Sequence, residues 1–337
     1  MADGPHLLAE IWFWLIGFIL ILYVILDGFD LGAGIIFLGT RDEKRRSQIM
    51  GSLGYTWHAN QTWLVVLGGL IFGAFPLAYG VLFSALYIPV GLMLLGLILR
   101  AVSFEFRAES HHKLFWNLAF GGGSLLAALA QGFILGGVLS GVKVTGKVYA
   151  GGVWDWLTPF TLLVAVGLAF GYVVLGAAYL VIKTRGGIQT HCRHLALEAA
   201  FPTFLIAVAA VLWSRHINPF LLQKWAAWPG GWLTAFPAIL AVLAFFGLLH
   251  ALWAGRSETS PYVLAVLFFF FSFICLAGSL HPFLLPPELT LETAAAPPLT
   301  LKIMLLVMIP LLPLMLLYNA YQYRVFRGKA GEGGYGD

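Results

Sequence analysis

Long apolar runs without a single charged residue recur along the whole 337-residue sequence. A run of about 20 such residues is long enough to cross the hydrocarbon core of a bilayer as a helix. Only 10% of the residues are charged, whereas a soluble domain carries about a quarter. No polar region is long enough to form a separate soluble domain. We therefore predict an all-α polytopic membrane protein, one domain over residues 1–337, that is surrounded by the lipid bilayer and binds no nucleic acid.

Hydropathy predicts nine transmembrane helices. The first run is longer than the core of a signal peptide, has no basic segment before it and no small-residue cleavage site behind it, so we expect it to stay in the protein. The longer predicted loops are 139–156, 183–198, 216–231 and 284–300. The predicted spans are 11–38, 54–75, 79–100, 116–138, 157–182, 199–215, 232–254, 261–283 and 301–323.

Lysine and arginine predict the orientation of these spans, because both residues are more frequent in cytoplasmic loops. With the N-terminus outside and the C-terminus inside, fourteen of the nineteen lie on the inner side. The same topology places Cys192 in an inner loop and Cys275 within the eighth span. Neither cysteine matches a metal-binding or haem-attachment spacing, so we assign no role to them. The five cationic residues on the outer side are Lys143, Lys147, Arg215, Lys224 and Lys302.

Two carboxylates lie in the inner half of the first span. Asp27 and Asp30 are three residues apart and therefore share one face of the helix. A carboxylate deep in the bilayer costs about 2.5–3.5 kcal/mol on insertion scales, so such residues usually face protein or water and often mark proton or ion paths. The alternative is that they cap or bridge groups at the inner interface.

The second span opens with an unusually polar segment that contains Trp57, His58, Asn60 and Gln61. Asn60 and Gln61 are able to hydrogen-bond across helices, and an imidazole changes its charge near neutral pH. The residues alone leave open whether this segment serves helix packing, proton transfer or ligand binding. We predict that Trp57, Asn60 and Gln61 belong to a polar packing network.

The third span ends on the same inner side with Arg100 and Glu105. Arg100 alone is compatible with a side chain that reaches out to the lipid headgroups. Consecutive helices with short connections are usually neighbours. We therefore predict one shared polar pocket at the inner ends of the first three spans, formed by Asp27, Asp30, His58, Arg100 and Glu105.

Histidines at the positions expected of haem ligands are missing from the predicted spans. A haem inside a helical bundle needs His or Met ligands that face the bundle interior, and the histidines lie in predicted loops, tails or span ends. The sequence also contains no Walker motif, no dinucleotide-binding glycine pattern and no HExxH motif. We expect no catalytic residue, no directly bound cofactor and no metal site in this chain.

Several longer motifs carry a resemblance to a known family. They are Asp27-Gly-Phe-Asp-Leu-Gly, Trp57-x-x-Asn-Gln-x-Trp-Leu, Phe75-Pro-Leu-Ala-Tyr, Leu99-Arg-x-Val-x-Phe-Glu-Phe-Arg, Trp156-Leu-Thr-Pro-Phe and Tyr323-x-Val-Phe-Arg-Gly-Lys. Together they span almost the whole chain, and they resemble subunit II of cytochrome bd-type quinol oxidases. The Trp156 motif is most similar to the branch known as cyanide-insensitive oxidases.

The resemblance implies a fold and a partner. Subunit II of these oxidases has nine helices, arranged as two four-helix bundles and a peripheral helix. It pairs in the bacterial inner membrane with subunit I, which binds two haems b and one haem d, oxidises quinol on the outer side and reduces O2 to water. The resemblance leaves open whether a small third subunit attaches.

The resemblance also implies roles for individual residues. Asp27, Asp30, Arg100 and Glu105 match positions linked to proton uptake from the cytoplasm, and Trp63 matches a tryptophan linked to oxygen access. The chain departs from the family pattern at His58, where many members have Asp. A second departure is Thr290-Leu-Glu-Thr-Ala-Ala in the outer loop, where members often have Thr-Ile-Trp-Asp-Ala-Ala. An imidazole relays protons over a different pH range from an acid.

Two other functions compete with the oxidase interpretation. Buried acids beside interrupted helices also bind coupling ions in secondary transporters, which would show inverted repeats and paired broken helices. A subunit with its own haem would show an interior histidine. We find neither pattern in the sequence.

Overall fold

The structure is a computed structural model that describes residues 3–54, 56–226 and 230–329. Residues 1–2 and 330–337 of the single predicted domain lie outside the described residues. Apart from two short hairpins, the described elements are helices. The helices are α1 (Asp3–Gly39), α2 (Glu43–Leu53), α3 (Thr56–Ala74), α4 (Pro76–Ala85), α5 (Tyr87–Glu109), α6 (Lys113–Ser140), α7 (Pro159–Lys183), α8 (Gly186–Ile217), α9 (Phe220–Ala226), α10 (Gly230–Ala254), α11 (Ser260–Leu280), α12 (Leu291–Ala294) and α13 (Pro298–Val325), and the strands are β1 (Val144–Thr145), β2 (Val148–Tyr149), β3 (Phe283–Leu285) and β4 (Leu289–Thr290).

Within the described residues, eight helices are long and apolar enough to cross a membrane, and the bent pair α3 and α4 brings the number to nine if it is one span. The all-α membrane fold is therefore confirmed. Helix α1 lies at the centre, where it packs against α3, α6 and α7. The finer arrangement as two four-helix bundles and a peripheral helix stays a prediction.

The predicted third span, 79–100, was wrong in its boundaries. Residues Pro76–Ala85 form a separate short helix that turns by 120° from α3, and the crossing helix is Tyr87–Glu109. Pro76 has no N–H to continue the helix and restricts the conformation of Phe75. The carbonyl of Ala74 instead accepts a hydrogen bond from the backbone N–H of Ala296, at 2.8 Å. Hydropathy does not detect this bend because α4 is as apolar as a crossing segment.

The predicted loop 183–198 was also wrong, because α8 begins at Gly186. The first turns of α8 carry polar and charged residues, so a hydropathy window detects only the part that can lie in lipid. Cys192 is consequently a fully buried residue of this helix and not a loop residue. His191 and His194, which we placed in the same loop, also lie on α8.

Polar contacts gather the connecting segments on two opposite faces. One face, which we name the basic face, consists of α2 and residues 110–112, 184–185, 255–259 and 326–329. There Glu258 Oε2 contacts Lys329 Nζ at 2.7 Å, and Glu258 Oε1 accepts a hydrogen bond from Gln189 at 2.8 Å. On the opposite face, Glu10 contacts His281 Nε2 at 2.7 Å. These contacts agree with alternating crossings, while the assignment of the basic face to the cytoplasm stays a prediction.

The orientation can be tested by placing a cysteine on each face. In right-side-out membrane vesicles, an impermeant maleimide should label Lys147→Cys, in the exposed turn of the β1–β2 hairpin, and should leave Lys44→Cys unlabelled until the membrane is permeabilised. Both lysines are exposed, whereas Cys192 is buried and gives little background. Labelling of Lys44→Cys in sealed vesicles would show that the N-terminus lies inside.

Close packing of α1 on α7 depends on Gly32. A Cβ atom at this position would lie 1.7 Å from the backbone oxygen of Tyr172, a distance that neither helix can absorb without moving. Only glycine therefore permits this separation of the two helices.

We expect Gly32→Ala to destabilise the protein by about 1–3 kcal/mol, the usual range for overpacking. The measurement is the thermal unfolding of the purified protein in detergent. The control is Gly69→Ala on α3, where no atom lies within 4 Å of the added Cβ. Equal melting temperatures for both variants would contradict the close-packing argument.

Candidate functional site

Two carboxylates of α1 and a guanidinium of α5 meet in the interior of the chain. Arg100 Nη2 lies 2.9 Å from Asp27 Oδ1 and 3.8 Å from Asp30 Oδ2. All three side chains are fully buried. We name Asp27, Asp30, Arg100 and the adjoining Asn60 the acid–arginine cluster. It contains more formal negative than positive charge if both carboxylates are ionised.

Asn60 connects the cluster to the last helix of the chain. Its Nδ2 donates to Asp30 Oδ2 at 2.9 Å and to the Leu26 carbonyl at 3.1 Å. Its Oδ1 accepts a hydrogen bond from the Tyr323 hydroxyl of α13 at 2.9 Å. Residues from α1, α3, α5 and α13 therefore form one continuous polar chain.

The geometry of the cluster leaves hydrogen-bonding capacity unused. The contact between Arg100 and Asp27 is close enough for an ion pair. Asp30 Oδ1 accepts no hydrogen bond from the described residues, and Arg100 Nε and Nη1 donate none to them. Buried polar groups normally bind protein or ordered water. The site is therefore chemically suited to hold water beside titratable groups.

The positions of these groups follow from the helices that carry them. Asp27 and Asp30 are separated by three residues and point to the same side of α1. Helix α5 continues to Glu109, nine residues beyond the predicted end of its span, so Arg100 lies within the helix. The alternative in which Arg100 extends to the lipid headgroups was wrong, because the side chain is fully buried.

His58 and Glu105 do not join the other three residues of the predicted pocket. Both side chains are exposed on the surface of the chain. In a helix each residue turns by about 100°, so His58 points almost opposite to Asn60, two residues later. Glu105 lies about 140° around α5 from Arg100 by the same rule. The ring of Trp57 stacks on His58 at 3.5 Å and on Phe104 at 5.0 Å between centroids.

The other residues that the sequence singled out occupy different surroundings. Trp57 is buried, while Gln61 is half-buried and its Nε2 has no hydrogen-bond partner among the described residues. Trp63 is buried in an apolar cluster that also contains Trp12 and Leu67. Within the predicted packing network of Trp57, Asn60 and Gln61, Asn60 makes hydrogen bonds to other helices.

A second buried network was missed from the sequence. Gln131 Nε2 donates to the Tyr23 hydroxyl at 2.7 Å, and the Tyr172 hydroxyl donates to Gln131 Oε1 at 2.5 Å. Tyr23 lies one helical turn from Asp27 on α1, so this network adjoins the acid–arginine cluster. The sequence feature that could have predicted this network is the amide side chain of Gln131 within a largely apolar run.

A third network, on the basic face, joins α2 to α5 and α6. Glu43 contacts Arg107 Nη2 at 2.6 Å and accepts a hydrogen bond from Asn117 at 2.7 Å. Burial alone would raise the pKa of the Glu43 carboxyl. The hydrogen bond from Arg46 and the positive charge of Arg107 outweigh burial, so the pKa lies below its usual range. Glu43 is therefore ionised at neutral pH and holds α2 against the helical bundle.

The described residues contain no group of three or more His, Cys, Asp or Glu side chains arranged to hold a metal ion. The nine histidines of the chain all lie within the described part, and none of them is buried. The surroundings of the histidines thus differ from the enclosed site that a haem inside a helical bundle requires.

Comparison with known proteins assigns the chain to a family. A family model described as "Cytochrome bd terminal oxidase subunit II" matches residues 8–326. The chain belongs to this family. It is similar to cytochrome bd-I ubiquinol oxidase subunit 2 of Escherichia coli K12, with 30% identity over 94% of each chain. It is also similar to cytochrome bd ubiquinol oxidase subunit 2 of Bacillus subtilis, with 27% identity over 95% of this chain and 96% of the relative.

The fold comparison agrees with the family. The bd oxidase structure from Geobacillus thermodenitrificans matches with a TM-score of 0.78 over 95% of this chain and 98% of that chain, at 20% identity. A member of the subunit II family is part of a quinol oxidase complex in the bacterial inner membrane and associates with subunit I. The family resemblance that we inferred from the motifs is therefore confirmed.

The cluster predicts a large energetic effect of removing its only cation. Arg100→Gln leaves two buried carboxylates without compensation and should destabilise the protein by about 3–5 kcal/mol. Combining it with Asp27→Asn and Asp30→Asn removes the uncompensated charges and should restore most of the lost stability. Thermal unfolding of the purified variants is the measurement.

The control for this series is the exposed ion pair between Lys143 and Asp155, whose charged atoms are 3.4 Å apart. Lys143→Gln should change stability by about 0–1 kcal/mol, as for other solvent-exposed pairs. If Arg100→Gln were as mild as Lys143→Gln, the cluster would not be an electrostatic unit.

Proposed function

We propose that this chain supports a haem-bearing subunit I in a terminal oxidase that transfers electrons from quinol to O2, and that it conducts protons from the cytoplasm towards that partner. The two haems b and the haem d, which supply the electron-transfer and oxygen chemistry, belong to subunit I in this proposal. None of the nine histidines is buried, which supports that division. A small third subunit is compatible with it.

The observation that carries the proposal is the complete burial of Asp27, Asp30 and Arg100 in one cluster. Reduction of O2 to water consumes protons, and lipid does not conduct them. Titratable groups and bound water are therefore required within the membrane. Carboxylates buried in membrane proteins commonly mark such routes. An arginine within 4 Å favours their ionised forms, whereas burial favours the neutral forms, and these opposing effects suit groups that gain and lose protons.

Exposed and buried residues suggest an order along the route. His58 and Glu105 are exposed where the start of α3 meets the last turns of α5, so we assign them to proton entry from the basic face. Asp30 then receives protons beside Asn60, and Asp27 lies one turn further along α1. Arg100 holds both carboxylates in position. The unused hydrogen-bonding capacity of Asp30 and Arg100 allows water to complete the connection.

For oxygen access we propose the apolar region around Trp63. Its neighbours in the same buried cluster include Leu67 and Leu70. O2 is apolar and dissolves more readily in such surroundings than in water. The assignment of Trp63 itself rests on the family resemblance.

The competing transporter function has less support. Secondary transporters of this kind place interrupted helices in corresponding positions of two repeats. The described residues contain one strongly bent pair, α3 and α4. Family membership favours the oxidase.

The proton route predicts a loss of turnover without loss of assembly. In the purified complex, Asp27→Asn should lower the rate of quinol-driven oxygen consumption by about tenfold or more, since positioned proton transfer typically contributes at least that much. Glu105→Gln should have a smaller effect, because water can replace an exposed group. The measurements are the oxygen-consumption rate and the haem spectrum of the same sample.

Glu109→Gln is the matched control for Glu105→Gln, because Glu109 is also exposed and lies one turn further along α5. His58→Asp restores the acid of the family pattern, so it should keep turnover and shift its pH dependence. Unchanged oxygen consumption in Asp27→Asn, Glu105→Gln and their combination would show that protons take another route.

A further inference from the structure

The basic face contains a cavity that neither the proton route nor helix packing explains. It has a volume of about 260 Å³ and lies where the end of α1, the start of α2 and the first turns of α8 meet. None of its lining residues belongs to the acid–arginine cluster. A volume of this size is sufficient for a phosphate group together with its glycerol substituent.

Three nitrogen-bearing side chains surround the cavity. Arg41, Arg45 and His191 line it and are exposed. None of the three side chains forms an ion pair with a described residue, in contrast to Arg46 and Arg107, which both contact Glu43. Two permanent positive charges therefore remain available to a ligand.

The one acid of the cavity is already engaged. Asp42 is the N-cap of α2, and its Oδ1 accepts a hydrogen bond from the backbone N–H of Arg45 at 2.9 Å. It offsets one of the two arginine charges in formal terms. The cavity still carries a net positive charge without His191, and protonation of the imidazole would increase it.

The walls of the cavity are apolar on the side of the helical bundle. Ile36 of α1, Ile49 of α2 and Ile188 of α8 line it, and all three are buried. Cationic groups at the opening and aliphatic side chains behind them match the two parts of a phospholipid at the membrane surface. The cavity begins where the long apolar helix α1 ends at Gly39, which is the level expected for headgroups.

We propose that this cavity binds the phosphate group of an anionic phospholipid, with Arg41 and Arg45 as the recognising residues. Guanidinium groups bind phosphate oxygens through paired, charge-assisted hydrogen bonds. The hydroxyl of Thr40, at the edge of the same cavity, is a further donor. A free phosphate ion offers the same oxygens, and the difference between the two ligands lies in the glycerol and acyl groups that the isoleucines contact.

The test uses the complex of this chain with its partner subunit, purified in detergent and stripped of loosely bound lipid. Short-chain phosphatidylglycerol, phosphatidylcholine and inorganic phosphate are titrated separately, and bound molecules are counted by native mass spectrometry. Phosphatidylglycerol should bind more tightly than phosphatidylcholine. Arg41→Gln with Arg45→Gln should retain one fewer phosphatidylglycerol, with an affinity loss of about fivefold per arginine.

Lys44→Gln is the matched control, because Lys44 is an exposed cation of the same segment that does not line the cavity. It should bind phosphatidylglycerol as the unmodified complex does. A different outcome is that inorganic phosphate displaces this lipid from the unmodified complex and binds weakly to the double variant. That result would support a phosphate site at the two arginines whose ligand is the free ion. Equal losses in Lys44→Gln and the double variant, or no loss in either, would overturn the proposal.

Discussion

The structure depends on a constraint that low dielectric imposes on charge: a carboxylate inside the membrane needs a partner in the protein. Asp27 and Asp30 share Arg100, at 2.9 and 3.8 Å. The Arg100 contact joins α1 to α5, and Asn60 with Tyr323 extends the chain to α3 and α13. Charge compensation therefore adds specific side-chain links between helices to the close packing of small residues.

Some of this arrangement was predictable from the sequence and some was not. The apolar runs identified the crossing segments, because the length of a span is set by bilayer thickness. They did not reveal the bend at Pro76, since hydropathy reports composition and not direction. The predicted sixth span also began too late. Helix α8 already starts at Gly186, and its first turns are too polar for a hydropathy window to detect.

The site shows the same division. The three-residue spacing of Asp27 and Asp30 predicted a common face, and the burial of Arg100 beside them agrees with the predicted neighbourhood of the first spans. His58 and Asn60 point in nearly opposite directions on α3, and Glu105 and Arg100 differ by about 140° on α5. The predicted pocket grouped these residues by segment, and segment alone does not determine direction. The contact of Tyr323 with Asn60 spans 263 residues, and no local pattern in the sequence indicates such a pairing.

The distance along the chain between the acids and their arginine has a consequence for biosynthesis. Asp27 leaves the ribosome 73 residues before Arg100, which corresponds to about 4–15 s at typical bacterial elongation rates of 5–20 residues per second. During this interval α1 carries two carboxylates without their cation. An unpaired carboxylate is costly in lipid, so we expect stable insertion of α1 to depend on α5, a helix that is synthesised later.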